Sequence, residues 1–221
     1  MFTILDIDQR SPEWVTARLG RLTSSTANDI LAKGRGNEES TMRRNLRIRL
    51  ALERVTGKSG EKDFTRFAMQ QGIEREPEAF AAYEAISGRL LVRTGFLRGH
   101  ELMVGCSLDG HSERKDFSIE GVTEIKCPLA ATHWEYLRTS KVPLDYLRQI
   151  THQLWISGAE WCDWMSYNPD FPERLQAKLV RVLRAEVDLE LYDREARRFL
   201  AEVENEELAI RTMAEGVRVA V

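Results

Sequence analysis

Cysteine is scarce in this 221-residue chain, and the cysteines present do not group. Cys106, Cys127 and Cys162 form no CxxC motif and share no ligand spacing with a histidine, which excludes a zinc ribbon or a disulfide framework. Three scattered thiolates also cannot furnish the four ligands of an iron–sulfur cluster. Long apolar runs are missing: none approaches the roughly 20 residues that span a bilayer. The opening stretch, MFTILDIDQR, has neither the basic start nor the apolar core of a secretory leader, so the chain reads as cytoplasmic. Repeats, low-complexity tracts and linker-like segments are absent too, and the length suits one domain. A strong excess of one charge is the last absence. The net charge is -3, which argues against a protein that binds nucleic acid over its whole surface.

The charge that is present is unevenly placed. Arg43, Arg44, Arg47, Arg49, Arg54 and Lys58 crowd one segment around a single acid, Glu53, while Glu186 to Glu215 is heavily acidic. That pattern fits a protein admitting a polyanion in one place, and equally two solvated helix faces. The front end, residues 1–88, reads as helical. Ser11 caps SPEWVTARLG with Pro12 at the first helical position, TSSTANDILAKG runs helical to Gly34, Ser40 opens a basic amphipathic helix stopped by Gly57, and a longer helix covers Phe64 to Ile86. Residues 89–186 turn to strand character in RLLVRTGFLR, ELMVGCSL and FSIEGVTEIK, an expected antiparallel meander. Two helices, ATHWEYLRT and LDYLRQITHQLWISG, and the strands WCDWMSYN and KLVRVLRAE follow. In 187–221, Leu189, Tyr192, Ala196, Phe199 and Val203 keep the spacing of one amphipathic helix.

The chemistry concentrates in CSLDGHSERKDFSIEGVTEIKCP. On a strand, side chains alternate, so Glu124 and Lys126 share a face while Ile125 turns to the other. A hairpin would bring Asp109, at the end of the preceding strand, beside Glu124. Two converging carboxylates call for a cation, and Mg²⁺ accepts a few carboxylates, a carbonyl such as that of Ile125, and water. Lys126 would then position the attacking water or stabilise developing charge. Taken alone, the pattern is also that of a surface ion pair worth about 0–1 kcal/mol. His111 reads as a turn residue, and Trp155, Trp161 and Trp164 as core. Phe64, Phe67 and Met69 are candidates for an apolar wedge.

The segments SPEWVTARLGRLTSS, GIEREPEAF, CSLDG, TEIKCP and YLRQITHQLWISG occur in this order between Ser11 and Gly158. The series resembles the phage lambda-type alkaline exonucleases, the YqaJ-like viral recombinase family of the PD-(D/E)XK nuclease superfamily. The resemblance implies an α/β fold with a restriction-endonuclease-like core, a central mixed sheet flanked by helices, and helical additions at both ends. It implies that Asp109, Glu124, Glu76 and the Ile125 carbonyl hold Mg²⁺, with Mn²⁺ as a substitute, and that Lys126 and Gln149 complete the catalytic set. Gln153, one turn further on, shares the Gln149 face. Arg18, Ser25 and Ser107 resemble the pocket for a terminal 5′-phosphate, where a guanidinium fork and hydroxyls suit a dianion. The family often has proline before the motif aspartate, and Leu108 stands there instead; it donates no ligand, so Asp109 is expected to keep its place.

The activity so implied is a Mg²⁺-dependent 5′-to-3′ exonuclease on linear double-stranded DNA. It would release 5′-mononucleotides and leave 3′ single strands for recombination. A homotrimeric ring around DNA, a single-strand annealing protein as partner, and a phage or prophage origin belong to the same implication. The basic helix would then line the channel. An endonuclease of the same fold and a non-catalytic DNA-end-binding module are the alternatives.

Overall fold

A computed structural model describes residues 1–36, 38–60 and 67–216, with side chains from residue 72 onward in the last stretch. The chain divides into two compact units, each with its own four-stranded sheet, and residues 1–88 contribute to both.

The first unit draws on Met1–Lys62, Gly95–Ser107 and Asp188–Val221. Its sheet runs β1 (Phe2–Leu5), β3 (Phe96–Gly99), β4 (Val104–Cys106), β2 (Leu22–Thr23), antiparallel except for the β2–β4 pair. Helix α1 (Pro12–Arg18) starts as its sequence dictates: Ser11 Oγ accepts the Trp14 N–H at 3.1 Å, and Pro12 needs no donor there. The helix expected to run on to Gly34 is cut short, to a 3-10 turn at Ser24–Thr26 and α2 (Ala27–Ile30). The Thr26 hydroxyl bonds both the N–H and the carbonyl of Thr23, which favours the 3-10 turn at the start. Helix α3 (Thr41–Thr56) is capped by Ser40 and closed by Gly57, whose φ of 66° suits glycine. It packs along α7 (Leu189–Gly216), which buries Tyr192, Ala196, Phe199, Leu200 and Val203, the face its spacing predicts with Leu200 added and Leu189 only half-buried.

The second unit draws on Asp63–Thr94 and Leu108–Val187. Helix α4 (Phe67–Ser87) passes through Pro77 and stops at Gly88. Its sheet runs β5 (Gly110–Glu113), β6 (Ile119–Lys126), β7 (Trp161–Tyr167), β8 (Ala177–Leu183), with β6 and β7 parallel. Helices α5 (Ala130–Leu137) and α6 (Leu144–Ser157) supply the crossover that parallel strands require. On one sheet face, Ile125 and Met165 pack with Ala79, Phe80 and Tyr83 of α4. The other faces α5 and α6, where Trp164 contacts Tyr136 and Tyr146.

The meander expected from the sequence is therefore split. β3 and β4 belong to one sheet and β6 to another, and β1, β2 and β5 were not read as strands. His111 is no turn residue: it lies on β5, buried, with Nδ1 against Thr94 Oγ1 and Nε2 against Glu113. Trp161 and Trp164 are core, as expected, and Trp155 is half-buried with its ring 5.7 Å from that of His152. Of the wedge candidates, Phe64 and the side chains of Phe67 and Met69 lie outside the described residues.

Close approach sets one residue of β6. A Cβ on Gly121 would sit 2.2 Å from the ring of Trp161, its ladder partner. That ring is itself stacked by Arg181 at 3.9 Å and Arg89 at 4.9 Å, so it has little room to yield. Gly121→Ala is expected to destabilise the protein by about 1–3 kcal/mol, read as a lower urea midpoint. An unchanged midpoint would show that the ring moves freely.

Candidate active site

The β5–β6 hairpin determines the site. Gly110 pairs with Thr123, which sets the preceding Asp109 level with Glu124. Asp109 leads into β5, where the sequence had put it at the end of an earlier strand, and its Oδ2 accepts the Ile125 N–H at 2.6 Å. Alternation does the rest. Ile125 anchors β6 in the core while Glu124, 2% exposed, and Lys126 share the α6 side, with Lys126 Nζ in contact with Glu124 Oε1.

Helix α6 reaches Glu124 from two successive turns. Gln149 Nε2 donates to Oε1 at 2.6 Å, and Gln153 Nε2 donates to Oε2. Both glutamines thus meet Glu124, because residues four apart share a helix face. Tyr146, one turn before Gln149, lays its ring 5.2 Å from Lys126 Nζ. Sequence reasoning missed it, although the spacing of 146, 149 and 153 was there to be read. Glu76, on α4, is 3.9 Å from Arg93, and its charge is felt at Asp109.

The electrostatics ask for a positive charge. Burial first, and then the neighbouring Glu124 carboxylate, push Asp109 up to about 7, with Glu76 adding to the effect. Burial alone would lower the pKa of Lys126, but Glu124 and Asp109 outweigh it and hold the ammonium above its ordinary range. Among the described residues no three His, Cys, Asp or Glu side chains converge on a single metal position. Two adjacent carboxylates, with the Ile125 backbone beside them, nonetheless fit a hard divalent cation that keeps much of its own water.

The 5′-phosphate candidates gather in the first unit. Arg18 Nη2 lies 3.5 Å from Ser25 Oγ, and Ser25 is 3.2 Å from Thr23 Oγ1. Trp14 ties the third member in: its Nε1 donates to Ser107 Oγ at 2.7 Å while the Arg18 guanidinium stacks 4.2 Å from its ring. Trp14 was also missed, although it stands one helical turn before Arg18. Beside this group Arg21 is held below its usual pKa by burial and by the charges of Arg98 and Arg54, so the neighbourhood is rich in cations.

The basic helix spends much of its charge in ion pairs within the chain. Arg43 pairs with Glu202 and Glu39, Arg47 with Glu39 and Glu206, and Arg54 with Glu207, so these arginines of α3 are directed largely at α7. Among the described residues no helix is long and apolar enough to cross a membrane.

Comparison with known proteins agrees with this architecture. A family model described as the YqaJ-like viral recombinase domain matches residues 13–160. The alkaline exonuclease LHK-Exo from Laribacter hongkongensis is 31% identical, with a TM-score of 0.81 over 94% of this chain and 100% of that one. Its structure in complex with dAMP gives a TM-score of 0.83 at the same identity and coverage. A phage-related exonuclease from Haemophilus somnus shares the fold at 14% identity, with a TM-score of 0.67 over 87% of this chain and 96% of that one. Curated proteins give no match. The mixed α/β architecture with helical additions expected from the sequence holds, with two mixed sheets in place of one. The chain belongs to the YqaJ-like viral recombinase family.

Proposed function

We propose that this protein is a DNA exonuclease that hydrolyses linear duplex DNA from its 5′ ends in the presence of Mg²⁺ or Mn²⁺. The observation that carries the reading is the hairpin register setting Asp109 beside Glu124, with Lys126 on the same strand face. Asp109 and Glu124, with Glu76 and the Ile125 carbonyl, would hold the cation. When bound, it polarises the phosphate and lowers the pKa of a coordinated water.

The chain's own groups do the rest. Gln149 and Gln153 fix both oxygens of Glu124, so the carboxylate is oriented before substrate arrives. Lys126 places positive charge where the attacking water and the non-bridging oxygens meet. Water attacks phosphorus, the bond to the 3′ oxygen breaks, and a 5′-mononucleotide departs. The shortened strand then begins with a 5′-phosphate, the group that Arg18, Ser25 and Ser107 are suited to hold, so each cut recreates the next substrate. That the related LHK-Exo was crystallised with dAMP, a 5′-mononucleotide, supports this product. A homotrimer around DNA and an annealing protein that takes up the 3′ strand complete the proposal, in a bacterial cytoplasm and from a phage or prophage gene.

The test is nucleotide release from linear duplex with 5′-phosphate or 5′-hydroxyl ends and from a closed circle, with Mg²⁺ or EDTA. Release is expected only with metal and a free end, and faster from the 5′-phosphate. Arg18→Ala is expected to erase that preference by weakening the phosphorylated end about tenfold or more. Cutting of the circle would make the protein an endonuclease, and end binding without release would make it a binding module.

A further inference from the structure

One cation of the second unit is held still without being used up. Arg93 lies 61% exposed, and its guanidinium stacks 4.4 Å from the ring of Phe80, a core residue of α4. Its backbone is fixed on both sides. Val92 exchanges two hydrogen bonds with His111, and Thr94 Oγ1 meets His111 Nδ1, so the segment runs along β5 beside Asp109. Among the described residues the carboxylate paired with it is that of Glu76, whose Oε1 lies at 3.9 Å, the outer edge of an ion pair. Four other arginines of this unit are committed. Arg75 is bonded to Asn168 and Asp170, Arg89 to Glu120, Arg114 to Glu160, and Arg181 to Asp163 by two bonds.

We infer that Arg93 binds a backbone phosphate of the DNA strand on the Glu76 side of the catalytic centre. An exposed pair at 3.9 Å contributes little stability and does not explain why the side chain is pinned. A guanidinium fork with most of its donors unspent, stacked flat and aimed at the rim of an acid cluster, matches a phosphodiester. It also offsets Glu76, which would otherwise repel the incoming strand. When Glu76 turns toward a cation, Arg93 loses that carboxylate and its donors pass to the substrate. The inference rests on the nuclease reading, which it deepens.

The experiment measures binding of a labelled linear duplex by fluorescence anisotropy in Mg²⁺, across salt from about 50 to 200 mM. Lys126→Ala serves as the background in every arm, so that the DNA is not consumed. Adding Arg93→Ala is expected to weaken binding about tenfold and to make the log–log salt slope shallower by about 0.9, the loss of one phosphate contact. Arg93→Lys is expected to keep most of the slope. Coincident slopes for Arg93 and Arg93→Ala overturn the inference. So does a change confined to Mg²⁺ affinity, which would make Arg93 only a counter-charge for Glu76. If the parent protein neither binds nor degrades duplex, the nuclease reading itself falls. Thermal melts of each variant keep misfolding apart from lost contact.

Discussion

Lys126→Ala is expected to lower nucleotide release by about 10³-fold while leaving end binding in Mg²⁺ within a few-fold of the parent. The argument is local. Lys126 is the cation that touches Glu124, and no other lysine or arginine is paired with that carboxylate among the described residues. Its removal takes positive charge from the point where the reaction builds negative charge. Glu124 keeps Gln149 and Gln153, so its orientation survives, and Ile125 keeps β6 in the core. The fold should therefore stand, with little change in the urea midpoint. Release within tenfold of the parent would remove Lys126 from the chemistry and reduce the Glu124–Lys126 contact to a structural ion pair.

Asp163→Ala should do the reverse. Asp163 pairs with Thr123, next to Glu124, but faces the α4 side of the sheet. It is 1% exposed, takes both Arg181 bonds at 2.7 Å, and accepts the Tyr83 hydroxyl at 2.8 Å. Burial first, and its bond to Asp163, push that tyrosine up to about 12. Removing the carboxylate takes a partner from a buried hydroxyl and from an arginine together. Breaking a buried pair costs about 3–5 kcal/mol; because Arg181 is 39% exposed and can turn to water, about 2–3 kcal/mol is expected here. Urea unfolding should show a lower midpoint with an unchanged slope, and the folded fraction should still release nucleotides at the parental rate. A stable but inactive variant would mean that the two faces of the sheet are coupled.

That contrast between neighbouring strand positions explains what the sequence made legible. Period-two alternation placed Glu124, Ile125 and Lys126 correctly because β6 is long and one of its faces is core. Caps placed α1 and α3 because Ser11, Ser40 and Gly57 act within one turn of themselves. The β5 strand was hidden: GHSE has no β-forming side chains, and it is a strand because it pairs with β6, with His111 also bridging to Val92. Sheet membership was hidden for the same reason, since β2 pairs with β4 and β6 with β7 across long stretches of chain. Trp14 escaped because its partner, Ser107, lies 93 residues away.

The pairing of α3 with α7 bears on the net charge of -3. A basic helix in water gathers mobile counter-ions, and a polyanion binds it largely by setting them free. Here the counter-ions are covalent: Glu202, Glu206 and Glu207 take that place and cannot be released. Arg43, Arg47 and Arg54 therefore have little entropy to offer a passing polyanion. The chain carries, in its own last helix, the salt that keeps its most basic segment quiet.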